Sequence, residues 1–112
     1  MATATSRGEW RRITIVTEEA FEKLMIDQAL KRGVNSYICT YCSGKPLHEA
    51  FEKSLASQPL VRIELLARPA VAEALAGDLQ RLEGLHYPVM ALVDEVAVCA
   101  GRAPELVGTN RA

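Results

Sequence analysis

Nowhere in the 112 residues is there an apolar run approaching the roughly 20 residues that a membrane-spanning helix requires, so no direct membrane insertion is expected. An excess of positive charge is missing too. Thirteen basic against fourteen acidic side chains give a net charge of -1, without the long-range positive field on which non-specific DNA or RNA binding depends. Residues 1–8 are small and polar and contain no apolar segment of the kind that exports a protein, which points to a cytoplasmic location. Cysteine is sparse and odd in number, with only Cys39, Cys42 and Cys99, so a secreted disulfide framework is not expected. Cys39 and Cys42 do form a C-x-x-C, but no second one follows, and neither His48 nor His86 stands at a zinc-finger spacing. Both cysteines fall in a stretch that reads as a strand, where positions three apart face opposite sides of a sheet. They read as small buried apolar residues rather than as a redox or metal pair. The phosphate-binding spacing G-x-x-x-x-G-K-[ST] is absent as well.

What remains is a globular composition, 49% hydrophobic and 24% charged, at a length that suits one domain with its own core. Ile13, Thr14, Ile15 and Val16 predict a first strand over residues 11–17. Thr17 then offers an N-cap hydroxyl, Glu18 and Glu19 complement the positive end of a helix, and Phe21, Leu24, Met25, Ala29 and Leu30 recur at helical spacing. That helix spans about 18–32, with Lys31 and Arg32 in its last turn and Gly33 as its left-handed stop. A second strand follows over 36–42 and ends at Ser43-Gly44-Lys45-Pro46. Leu47, Ala50, Phe51, Ser54 and Leu55 have amphipathic spacing, which suits either a short helix or a mobile loop over 47–58, closed by Pro59. Residues 60–67 read as a third strand. Pro69 opens a second helix with Val71, Leu75, Leu79 and Leu82 on one stripe, ending near Glu83-Gly84. Residues 89–99 read as a last strand.

The order β-α-β-β-α-β is the α+β, ferredoxin-like arrangement, with both helices on one face of a four-stranded antiparallel sheet. Strands apolar on both faces do not tolerate water on one of them, so the uncovered face is expected to pack against other subunits. The expected division is a flexible N-terminus over 1–10, a domain over 11–102 with a loop at about 43–59, and a flexible tail over 103–112.

Few residues carry chemistry. Ser43, Gly44 and Lys45 combine a close-approaching backbone, a hydroxyl donor and a cation, which suits an anion, though a solvated turn uses the same residue types. His48 and Glu49 are sequence neighbours that face different directions on a helix and make a poor base and orienter. His86-Tyr87-Pro88 lies in the turn before the last strand, where the two rings suit either stacking on a base or closing the core edge. Arg102 suits a phosphate contact or a solvated tail.

Gly33-Val34-Asn35-Ser36-Tyr37-Ile38-Cys39-Thr40, Ser43-Gly44-Lys45, Pro59-Leu60-Val61-Arg62-Ile63-Glu64-Leu65, and Glu95-Val96 with Gly101 together resemble the PII signalling superfamily. Within it they are similar to the SbtB-like and carboxysome-associated PII-like branch. The resemblance spans residues 11–102. It implies a compact homotrimer that senses rather than catalyses, binding an adenine nucleotide in three clefts between subunits. On that resemblance Thr40, Ser43, Gly44, Lys45, Tyr87 and Arg102 lie at the nucleotide, and Ser43, Gly44 and Lys45 also at a co-bound bicarbonate. The flexible T-loop would signal to a bicarbonate transporter or carboxysome-related protein. Leu60 stands where conventional PII proteins carry a lysine that helps hold ATP phosphates, and the glycine-rich B-loop is reduced to Gly84-Leu85-His86-Tyr87-Pro88. Both departures favour AMP or ADP over ATP. The short T-loop has no tyrosine to be uridylylated, and the tail has no cysteine for a redox hairpin. Three rivals share the topology or size: a CutA-like metal-tolerance trimer, for which no His and Cys cluster is present; an acylphosphatase-like hydrolase, for which Thr17-Glu18-Glu19 would repel phosphate; and an amino-acid-binding regulatory domain.

Overall fold

The computed structural model describes residues 9–45 and 58–101. Four strands, β1 (Trp10–Glu18), β2 (Tyr37–Gly44), β3 (Gln58–Ala67) and β4 (Val89–Val96), form one sheet in the order β2-β3-β1-β4. All three pairings are antiparallel. Two helices, α1 (Glu22–Lys31) and α2 (Pro69–Gly84), connect β1 to β2 and β3 to β4. The fold is the expected α+β, ferredoxin-like one.

Alternation decides which face is covered. Ile13 and Ile15 of β1 lie opposite Leu65 and Ile63 of β3, and all four are buried, with Met25 and Ala29 of α1 and Val71, Leu75 and Leu79 of α2 in the same core. Both helices therefore lie on one face. The even-numbered positions point to the other face, where apolar side chains are mixed with ions. Ile38 and Leu92 are exposed there, beside an Arg12 guanidinium that donates two hydrogen bonds to Asp94 (2.8 and 3.2 Å). At one end of this face Trp10 is buried, with the Arg68 guanidinium 4.3 Å from the centre of its ring.

Each helix ends in the same way. The Gly33 N–H reaches Leu30 O and the Val34 N–H reaches Ala29 O, both at 3.0 Å, with Gly33 at φ 85°. After α2 the His86 N–H reaches Glu83 O and the Tyr87 N–H reaches Leu82 O, with His86 at φ 72°. The paired bonds are those of a Schellman stop. A non-glycine residue at that position carries a steric cost that Gly33 does not.

The helices are also tied together by charge. Asp78 of α2 is buried, and its carboxylate accepts two hydrogen bonds of 2.8 Å from Arg32, at the end of α1, and one of 2.7 Å from Arg81. These bonds, those from Arg32 foremost, hold the Asp78 carboxyl below its ordinary range against the opposing effect of burial.

Several boundaries differ from expectation. Thr17 does not cap a helix: β1 continues through Glu18, a single 3-10 turn (Glu19–Phe21) follows, and only then does α1 begin. The Thr17 hydroxyl is fully buried and donates instead to Pro88 O at 2.6 Å. β2 runs on to Gly44 and β3 starts at Gln58, because Ser43 pairs with Pro59 and Gly44 with Gln58. Pro59 lies inside β3, and Gln58 before it is already extended, as the residue preceding a proline favours. β4 stops at Val96, opposite Trp10, where β1 offers no further partner. Apart from Gln58, the expected short helix or loop over 47–58 lies outside the described residues.

Candidate functional site

The strand register gathers the candidate residues at one end of the sheet. β2 ends there at Gly44, β3 begins at Gln58, β1 ends at Glu18 opposite Leu60, and β4 begins at Val89 opposite Thr17. Ser43 and Gly44 form the last two rungs of β2, and Lys45 follows, exposed. Leu60, the position that carries an apolar side chain instead of a cation, is buried next to Gly44: a Cβ added to that glycine would lie 3.6 Å from Leu60 Cδ1. Thr40 sits further back on β2, on the face away from the helices, where the register places exposed Arg62 opposite it.

Tyr87 occupies the turn before β4. Its ring packs edge-on against Phe21, with centroids 5.7 Å apart and planes at 86°, and it leans on the core. Of the two sequence-level options for this tyrosine, core closure is the one the packing displays. Its neighbour His86 is exposed and held in the left-handed conformation. Arg102, His48 and Glu49 lie outside the described residues.

Within one protomer these residues fall into two groups rather than one. β2 and β4 are the two sheet edges, separated by β3 and β1, and three strand spacings amount to roughly 14 Å. Ser43, Gly44 and Lys45 are therefore on one side of the sheet end, and His86 and Tyr87 on the other.

Sequence reasoning missed the groups that hold the β2 side. The Tyr41 hydroxyl donates to Glu22 Oε2 at 2.9 Å, and the Cys39 thiol lies 3.9 Å from the same oxygen. The bond to Glu22, then burial, keeps the Tyr41 phenol above its ordinary range, so it remains a proton donor. Burial, reinforced by the Glu22 carboxylate, raises the Cys39 thiol in the same way. Neither contact leaves a periodic signal in the sequence, since the partners are 17 and 19 residues apart.

Cys39 and Cys42 do face opposite sides of the sheet, as the strand assignment requires. The expectation that this pair is buried is met only in part: Cys39 is half-buried and Cys42 is exposed, as is Cys99 beyond the end of β4. Maleimide labelling of the native protein is accordingly expected to modify Cys42 well before Cys39, read by peptide mass spectrometry; equal rates would contradict the raised, half-buried Cys39 thiol. Among the described residues no three His, Cys, Asp or Glu side chains cluster to hold a metal ion, and no helix is long and apolar enough to cross a membrane.

No family model and no curated protein matches the chain at the sequence level. Solved structures do. A provisionally assigned PII-like signaling protein from Thermus thermophilus superposes with a TM-score of 0.64 at 28% identity, covering 80% of this chain and 87% of that one. The fold is that of the PII-like signalling proteins. CPII, a nitrogen regulatory PII-like protein from Thiomonas intermedia K12 solved with ADP, AMP and bicarbonate, matches this PII-like fold with a TM-score of 0.67 at 18% identity, covering 83% and 96%. A Bacillus subtilis GlnK complex with ATP gives 0.60 at 20% identity, covering 80% and 84%. The chain spans most of each of these neighbours.

Proposed function

We propose that the protein is a non-enzymatic PII-like sensor that assembles as a compact trimer and binds ADP or AMP, with bicarbonate, in clefts between subunits. The observation that carries this reading is the division of the candidate residues. One protomer presents Thr40, Ser43, Gly44 and Lys45 at one sheet edge and Tyr87 at the other, too far apart to grip one bicarbonate together, and each edge is suited to meet its counterpart from a neighbour. Arg102 joins the nucleotide site on this reading.

Chemistry supports the ligand class. Gly44 leaves the end of an edge strand open to close approach, Ser43 supplies a hydroxyl and Lys45 a mobile cation, which together suit a small planar anion such as bicarbonate. Leu60, buried and uncharged, offers nothing to a third phosphate, which favours the mono- and diphosphate. Likeness to CPII, which was solved with ADP, AMP and bicarbonate, points the same way. On this reading, ligand bound at the end of β2 is what a transporter or a carboxysome-related protein reads in regulating inorganic-carbon uptake.

Calorimetric titration tests the reading directly. ADP or AMP is expected to bind, bicarbonate to bind more tightly in the presence of nucleotide, and Lys45→Ala to weaken bicarbonate binding about tenfold, the loss of one charge-assisted hydrogen bond, without changing the oligomeric state. Absence of heat with nucleotide and bicarbonate, singly and together, sinks the sensor reading.

A further inference from the structure

The turn at residues 85–88 and the end of β2 are three strand spacings apart, yet one short segment touches both. Thr17, at the end of β1, donates from a fully buried hydroxyl to Pro88 O at 2.6 Å. Phe21, in the 3-10 turn, packs edge-on against Tyr87. Glu22, the first residue of α1, accepts the Tyr41 hydroxyl at 2.9 Å, three residues before Gly44. Alternation along β2 aims Tyr41 toward the helix side of the sheet, which is why it meets α1 and not the open face.

We propose that residues 17–22 act as a strap that fixes the 85–88 turn and the end of β2 in one relative position, with Thr17, Phe21 and Glu22 as positioning residues. The inference rests on the reading that these are the two halves of the ligand site, and it adds how a change at one half reaches the other inside a protomer. The strap is short and held at both ends by specific geometry: a buried hydroxyl, a perpendicular ring pair and a carboxylate. Its middle is a single 3-10 turn, whose hydrogen bonding is poorer than that of an α-helix. Displacing Tyr41 therefore shifts Glu22 and with it the Phe21 ring one residue away, and displacing Tyr87 shifts the same turn from the opposite side.

Hydrogen exchange on the ligand-free protein tests the strap without any ligand. Tyr41→Phe removes one exposed hydroxyl and is expected to leave the fold intact. The strap requires that this change raise exchange at the His86 and Tyr87 amides by at least about threefold, although they are hydrogen bonded within their own turn and lie on the far side of the sheet. Thr17→Val should raise exchange in the opposite direction, at residues 42–44, and Thr17→Ser, which keeps the hydroxyl, should not. Effects confined to the mutated side in both variants overturn the proposal. Titration of ADP into wild type and Tyr41→Phe completes the test: at least about threefold weaker binding by the variant supports the strap, and unchanged affinity overturns it. If wild type takes up no ADP, the ligand reading fails while the exchange comparison still decides the strap.

Discussion

Leu75→Ala is expected to lower the unfolding free energy by about 2–5 kcal/mol, the range for deleting a fully buried leucine side chain. Leu75 stands in the middle of α2 with no solvent exposure, among Val71 and Leu79 of its own stripe and the Ile13, Ile15 and Ile63 side chains of the two central strands. A sheet with helices on only one face has a single core to close, so a void beneath α2 has no second layer to collapse onto. Urea denaturation, followed by circular dichroism, gives the number. A loss under about 1 kcal/mol would mean that α2 slides to refill the gap, and that the packing between helix and sheet is looser than the burial indicates.

The second large effect is electrostatic. Asp78→Asn is expected to cost about 1.5–3 kcal/mol at neutral pH, because the carboxylate accepts three charge-assisted hydrogen bonds in a buried position and the amide keeps only part of them. Its folded pKa is depressed, by the Arg32 bonds above all. The unfolded chain thus binds the Asp78 proton first as pH falls, and the stability this group contributes is complete above the unfolded value of about 3.9 and is lost as pH falls through the lower, folded value. Wild type and Asp78→Asn should therefore differ in stability at pH 7 and converge at the acid end. A constant gap between them across the acid range would show that the loss is one of shape and not of charge. Arg32 and Arg81 are partly solvated, so added salt should trim the effect without abolishing it.

The sheet and both helices were legible because their signals are local and repetitive. The β-branched run of β1, the stripe of α2 and the glycine after α1 each state their conformation within a few residues. Thr17 shows where that stops. A threonine before two glutamates is a sound helix cap by local rules, yet β3 and β4 flank β1 as far as Thr17, β3 pairs with one more residue, Glu18, and the Thr17 hydroxyl is left facing Pro88. The same is true of Gly44, whose turn propensity yields to two further rungs with β3. Asp78 with Arg32 and Glu22 with Tyr41 depend on tertiary neighbours and have no periodic signature, and the left-handed stop after α2 falls on His86, where no glycine announces it. The chemistry of the candidate site was readable as residue types in Ser43, Gly44 and Lys45. Its division between two sheet edges was not, because the distance between them exists only once the strand order is fixed.

That division has a consequence for mass action. A ligand site completed by two protomers binds only as well as those protomers associate, so on the proposed reading apparent ADP affinity should weaken on dilution of the protein, and ADP should in turn drive assembly by the same free energy. The two open edges of the sheet make the ligand and the neighbouring subunit thermodynamic partners: each sets the concentration at which the other is needed.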